Sequence, residues 1–186
     1  MQIINNAIDP LILRSLWHSW PDPNSRIWHH YSDKNAEKYA TKSHKDLPDI
    51  ANRCIYSMIE AVSPYVSGDV FADLELHGAG MHMLTGGGFL SRHLDSSLMR
   101  STGWKREYSC VLSVNPHWED SWGGEFVLNE TKVLPEFNQL TLFRCTDESF
   151  HEVLKVVGPQ PRCTICVFLW SKNEQGDQIR DRAFFL

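Results

Sequence analysis

His93-Leu94-Asp95 holds the first residues of this sequence whose types and spacing could do chemistry. In an extended segment, residues two apart project to the same side, so this imidazole and carboxylate can reach one ion. Alone the triplet is weak: with nine histidines in the chain, a surface histidine beside a turn aspartate reads equally well. His151 shifts the balance. Two histidines and one carboxylate are the set that binds non-haem iron(II) in oxygen-using enzymes, leaving coordination positions open for reactants. The long separation of His93 from His151 lets the third ligand come from a strand several strands further on.

Arg162 follows the turn Gly158-Pro159-Gln160-Pro161 and opens the last strong apolar run. With the strands on either side of that turn paired antiparallel, Arg162 is expected opposite the His151 strand. A guanidinium in an apolar interior needs a carboxylate partner, which a dicarboxylic co-substrate would supply bidentately. Thr164, on the same side, adds a hydroxyl donor. The plainer alternative is an arginine snorkelling to a strand edge. The glycines at 86, 87 and 88 hint at a phosphate loop, but no Lys-Ser/Thr follows and the next element reads as a strand, so no helix N-terminus faces an anion.

These side chains need a scaffold, and 186 residues with 42% apolar and 22% charged composition suit one domain with a full core. The reading is a single domain over 1–186, with helical support in 1–66 and a β core in 67–186. Asp9-Pro10 supplies an N-cap and a first-turn proline, and Leu13, Leu16, Trp17 and Trp20 follow at helical period until Pro21. A second helix begins near Asp46 to Pro48, carries Ile50, Cys54, Ile55, Met58 and Ile59, and stops before Ser63-Pro64. Ser25 to Lys45 reads as an ordered loop arm, its aromatics Trp28, His29, His30 and Tyr31 either packed on the sheet or lining a substrate mouth.

From Val70 onward, short apolar or alternating runs are broken by turn residues: Val70 to Leu76, Gly80 to Leu84, Gly88 to Arg92, Tyr108 to Val114, Glu125 to Leu128, Gln139 to Phe143, Glu152 to Val157 and Cys163 to Trp170. Such a series predicts a mainly β sandwich or jelly roll with the helices packed on one sheet.

A formal charge of −5 argues against a nucleic-acid partner, which calls for a basic surface. Lys34, Lys38, Lys42 and Lys45 read as a solvated face. No apolar run approaches the roughly 20 residues of a membrane span, and the N-terminus lacks signal-peptide order. Five cysteines in apolar settings suggest reduced thiols and a cytoplasmic location, and Cys163-x-x-Cys166 lies on a strand where residues three apart point to opposite faces.

In this order and spacing, several stretches resemble the prolyl 4-hydroxylase-like 2-oxoglutarate/Fe(II) oxygenases, which include the oxygen-sensing prolyl hydroxylases and bacterial and viral relatives. They are Gly86 through Asp95, Trp118 with Gly123-Gly124-Glu125, Leu134 through Asn138 leading to Phe143, His151-Glu152-Val153, and Arg162 with Trp170. The resemblance covers roughly Gly78 to Trp170. It implies a double-stranded β-helix, cupin-like in form, with Fe(II) on His93, Asp95 and His151, the distal carboxylate of 2-oxoglutarate on Arg162, and O2 as second co-substrate. The family's association with L-ascorbate comes with it.

The chain departs from the family where a tyrosine is expected on the co-substrate: Ser113 stands there, and Leu84 stands near a second such place. His82 and Tyr108 are the candidates to compensate. Arg106 matches a family arginine near the substrate entrance, with a surface role as its alternative, and Trp118 is a further substrate-side candidate. The implied reaction is hydroxylation of an unactivated C–H bond, in a prolyl residue of a peptide or protein, releasing succinate and CO2. The alternatives are a small-molecule or glycan-tailoring hydroxylase and a non-catalytic cupin-like metal-binding protein.

Overall fold

The computed structural model describes residues 1–73, 75–172, 180 and 182–186. Helix α1 spans Pro10–His18; the Asp9 carboxylate accepts from the Leu11 N–H at 2.8 Å, and Pro10 sits where a missing N–H costs nothing. Helix α2, Asp49–Val62, buries Ala51, Cys54, Ile55, Met58 and Val62, one stripe at helical spacing.

The strands are β1 (Gln2–Asn5), β2 (Trp28–Ser32), β3 (Ala36–Thr41), β4 (Gly80–Leu84), β5 (Phe89–Leu94), β6 (Lys105–Ser113), β7 (Phe126–Leu128), β8 (Thr131–Val133), β9 (Gln139–Arg144), β10 (His151–Val153), β11 (Arg162–Ser171) and β12 (Phe184–Phe185). They form one antiparallel sheet in the order β1-β9-β6-β11-β4-β3-β5-β10-β7-β8, with β2 beside β3 and β12 beside β5. The sheet curls into a jelly roll, so residues of β5, β7 and β10 meet residues of β4, β6, β9 and β11 around one interior cavity.

Alternation along the strands builds two environments. On β11, Cys163, Ile165, Val167 and Leu169 face the helices, while Arg162, Thr164, Cys166 and Phe168 face the cavity. On β4, Met81 and Met83 pack outward and His82 and Leu84 inward; on β6, Cys110 and Leu112 pack outward and Ser109 and Val111 inward.

The structure corrects several expectations. The stretch 1–66 is not only helical support: β1 pairs with β9, and β3 bridges β4 and β5. The loop arm is the β2–β3 hairpin. Its turn is closed by Asp33, whose carboxylate accepts from the Asn35 and Ala36 N–H groups, and its strands are polar on both faces, which hid the period of two. The run from Val70 makes only a bridge between Phe71 and Trp170, and Leu74 lies outside the described residues. There Asp73 accepts from the N–H groups of Glu75 and His77 and folds the chain into turns instead. Finally, β10 and β11 are not partners: β10 lies between β5 and β7, and β11 between β4 and β6. Arg162 therefore faces the His151 strand across the interior rather than beside it.

Candidate metal and co-substrate site

His93 and His151 stand directly opposite each other on the antiparallel pair β5 and β10, with ring centroids 4.2 Å apart. Each donates its Nδ1 proton to a carbonyl two residues back, His93 to Ser91 O at 2.8 Å and His151 to Ser149 O at 2.9 Å. Those bonds fix the tautomer and leave each Nε2 lone pair free. Both Nε2 atoms face Asp95 Oδ1, at 3.6 and 3.8 Å. One ligand atom from each residue lies within 4.8 Å of the others, so an imidazole pair and a carboxylate oxygen converge on a space one divalent ion would fill. The donor set fits iron(II).

The other oxygen of Asp95 is held from behind. Ser109 Oγ donates to Oδ2 at 3.0 Å and Arg106 Nη1 lies 3.3 Å from it, while Arg180 Nε donates to the Asp95 carbonyl at 2.9 Å. Burial alone would raise the Asp95 pKa, but Arg106 and the two histidines hold it well below the usual carboxylate range. Burial pulls His151 down to about 4, so it is a neutral ligand at physiological pH. Phe185, on β12, stacks on the His93 ring at 5.1 Å.

Arg162 sits in the same cavity, 3% exposed. Its Nε donates to Gly124 O at 2.7 Å, and among the described residues no carboxylate pairs with it. Burial lowers its pKa to about 10, so it stays charged. Its place is set by glycine and asparagine chemistry. Gly123 and Gly124 have φ of 68° and 74°, and a Cβ at Gly124 would stand 3.1 Å from Arg162 Cδ. Asn115 grips the start of β11, donating to Pro161 O and accepting from the Cys163 N–H, both at 2.8 Å. Thr164 lies beyond Arg162 on the same wall, opposite His82 on β4 and Ser113 on β6. Leu84, Leu90, Val111, Phe126, Phe143 and Val153 complete an apolar lining around a cavity of about 100 Å³.

The structure thus brings His93, Asp95, His151, Arg162, Thr164 and His82 to one cavity. His82 is neutral there, its pKa drawn down to about 3 by burial and by the Lys38 and Arg162 charges. Ser113 shares the face of Thr164 but lies outside the cavity lining. Tyr108 does not compensate for the missing tyrosines: it projects from the other face of β6, its hydroxyl 3.3 Å from Ser67 Oγ. Arg106 is not on the surface; it is buried behind Asp95 with its guanidinium 3.7 Å over the Phe168 ring. Trp118 braces the glycine turn instead of the cavity, donating to Gly123 O at 2.9 Å.

Sequence reasoning missed Ser109, Arg180 and Phe185, whose importance lies in contacts across the fold. It also misread Lys38, which lines the cavity instead of a solvated face.

Residues 79–170 match the family model described as the 2OG-Fe(II) oxygenase superfamily. The chain belongs to this superfamily and is a 2-oxoglutarate- and Fe(II)-dependent dioxygenase. Its fold is similar to that of a Pseudomonas putida prolyl-4-hydroxylase, with TM-score 0.68, 16% identity and 92% of each chain covered. It is also similar to the viral collagen prolyl hydroxylase of Paramecium Bursaria Chlorella virus-1, crystallised with 2OG (TM-score 0.63, 13% identity, 91% of this chain and 95% of that one). A third likeness is to a prolyl hydroxylase from Trichoplax adhaerens in complex with a hypoxia inducible factor peptide fragment (TM-score 0.62, 19% identity, 94% and 84% covered). No curated protein sequence matches the chain. Among the described residues, no helix is long and apolar enough to cross a membrane.

Proposed function

We propose that the chain hydroxylates a prolyl ring in a peptide or protein, with iron(II) on His93, Asp95 and His151 and the distal carboxylate of 2-oxoglutarate on Arg162 and Thr164. One observation carries this assignment of residues: three ligand atoms converge on one side of a cavity whose other wall holds a buried guanidinium without an acidic partner among the described residues. Bound iron(II), with 2-oxoglutarate and O2, supplies oxidation of an unactivated C–H bond, the co-substrate leaving as succinate and CO2.

The chain's own residues orient and enclose that chemistry. The carbonyls of Ser91 and Ser149 aim the imidazoles, and Ser109 and Arg106 keep Asp95 ionised and pointed inward. Arg162 orients the co-substrate by a charge-assisted fork, and the apolar wall excludes water. With Ser113 where the family's tyrosine stands, the co-substrate carboxylate depends more heavily on Arg162 and Thr164.

The prolyl assignment draws on the likeness to bacterial, viral and animal prolyl hydroxylases, the last of which holds a peptide. Five free, buried cysteines support a reducing compartment such as the cytoplasm. Incubating the enzyme with Fe(II), 2-oxoglutarate, O2 and a library of proline-containing peptides, then reading masses, tests the substrate. A gain of one oxygen atom on proline is expected; succinate release without any oxidised prolyl product contradicts the assignment.

A further inference from the structure

Lys38 lies on β3 at the corner where the two walls of the roll join. Tyr39 and Ala40 pair there with Met83 and His82 of β4, while Ala36 and Glu37 pair with Leu90 and Phe89 of β5. Continued by one residue, the antiparallel β3–β4 register sets Lys38 level with Leu84, and Leu84 pairs with Arg162 on the other side of β4. The adjacent strands β3, β4 and β11 thus carry Lys38, Leu84 and Arg162 in one row. All three line the cavity, so they share its face of the sheet. With strands about 4.8 Å apart, the Lys38 and Arg162 backbones are roughly 10 Å from each other. Both long side chains can span that gap from opposite sides of Leu84 and meet at one anion.

The donors available at this level are few. Leu84 offers none, and Ser113 lies outside the lining. Arg162 commits its Nε to Gly124 O, leaving its terminal nitrogens for a ligand. A carboxylate has about four lone-pair sites to satisfy. Thr164 can serve one of them, but Ser109, the other hydroxyl of the lining, is taken by Asp95. In the row itself the remaining donor is Lys38. Among the described residues its ammonium makes no hydrogen bond and no ion pair, and the group recorded against it is the Tyr31 ring, 5.4 Å away. A cation turned into a largely apolar cavity without an acidic partner is costly, and a bound anion removes that cost.

We infer that Lys38 is a second co-substrate-binding cation, its ammonium meeting the distal carboxylate of 2-oxoglutarate from the side of Leu84 opposite Arg162. The carboxylate is then held between two cations supplied by strands from opposite ends of the chain. This rests on the assignment of Arg162 to that carboxylate in the function proposed above. A two-cation end discriminates more steeply than a single arginine against 2-oxo acids whose far end is uncharged.

Anaerobic calorimetry of the Fe(II) enzyme tests this with 2-oxoglutarate and 2-oxopentanoate, which keeps the 2-oxo acid and the chain length but carries a methyl group in place of the distal carboxylate. Lys38→Met should reduce the preference for 2-oxoglutarate by about tenfold or more, the scale of a hydrogen bond to a charged group, with 2-oxopentanoate bound as by the wild type. Lys38→Arg should restore most of the preference. Lys34→Met, on the exposed turn of the same hairpin, should leave it unchanged. In succinate release, the KM of Lys38→Met for 2-oxoglutarate should rise by the same factor while kcat holds. A preference and KM that survive Lys38→Met while Arg162→Met collapses them overturn the inference and leave the Arg162 assignment standing. Equal weakening of both acids by Lys38→Met, which marks a merely structural role, also overturns it, as does an equal loss of preference in Lys34→Met. If Arg162→Met leaves the preference intact, the assignment of Arg162 fails and this inference fails with it.

Discussion

The two faces of β4, β6 and β11 do opposite work. Outward, Met81, Met83, Cys110, Leu112, Cys163, Ile165 and Val167 close against α1 and α2 in a dry core with most members fully buried. Inward, one residue along, the same strands offer His82, Ser109, Arg162 and Thr164, polar groups withdrawn from water with only part of their bonding met. The outer face gains apolar burial and dispersion; the inner face gives stability up to keep charge and lone pairs available for ligands. Stability and catalysis are thus separable by single-residue steps along one strand.

The strongest test of that separation removes a ligand. Alanine at His93, Asp95 or His151 should reduce succinate release by more than the roughly 10- to 100-fold lost with an outer partner of a metal ligand, while the melting temperature stays close to that of the wild type. Activity retained in two of the three variants would end the assignment of the triad. Arg162→Ala comes next, raising the KM for 2-oxoglutarate by the equivalent of about 2–5 kcal/mol; an unchanged KM would move the carboxylate site elsewhere.

On the outer face the expectation reverses. Ile165→Ala should cost about 2–5 kcal/mol in urea unfolding yet leave the KM for 2-oxoglutarate near the wild-type value. Its inward neighbour variant Thr164→Val should do the opposite. Equal destabilisation by both would dissolve the contrast.

Ser109→Ala removes one donor to Asp95 and should weaken iron(II) binding by about 1 kcal/mol, read by anaerobic titration. No change would show that Arg106 holds Asp95 unaided.

The inner face should also show in the pH dependence of stability. His82 and His151 are neutral in the fold, with pKa values drawn from the ordinary histidine value to about 3 and about 4. The unfolded chain binds more protons below about pH 6.5, so the metal-free protein should lose stability as pH falls from about 6.5 towards 4. Thermal melts across that range should show the decline, and His82→Gln should flatten part of it.

Much of the site was legible because its chemistry is local in type and ordered in sequence: His93 and Asp95 two apart, His151 and Arg162 each opening a strand. The core was legible through helical period in α1 and α2 and apolar runs in β4, β6, β9 and β11. The β2–β3 hairpin was not, because His29, His30, Lys38 and Tyr39 mix polarity on both faces and no alternation survives. Lys38 was hidden for the same reason: a lysine among lysines looks solvated until β3 is seen between β4 and β5. Arg106 and Ser109 act only through Asp95, which lies ten or more residues away in sequence, and no local pattern marks them. The pairing of β10 with β5 rather than β11 follows from the curl of the whole sheet, which a turn between two runs does not encode.

The central claim, that one cavity holds iron(II) on one wall and 2-oxoglutarate against the other, is tested most directly by anaerobic calorimetry of iron(II) and then 2-oxoglutarate binding. It would compare the wild type with Asp95→Ala and Arg162→Ala. The structure predicts one iron per wild-type chain, iron binding lost in Asp95→Ala but kept in Arg162→Ala, and 2-oxoglutarate binding weakened in both. Iron bound as tightly by Asp95→Ala as by the wild type, or 2-oxoglutarate bound as tightly by Arg162→Ala, would contradict it.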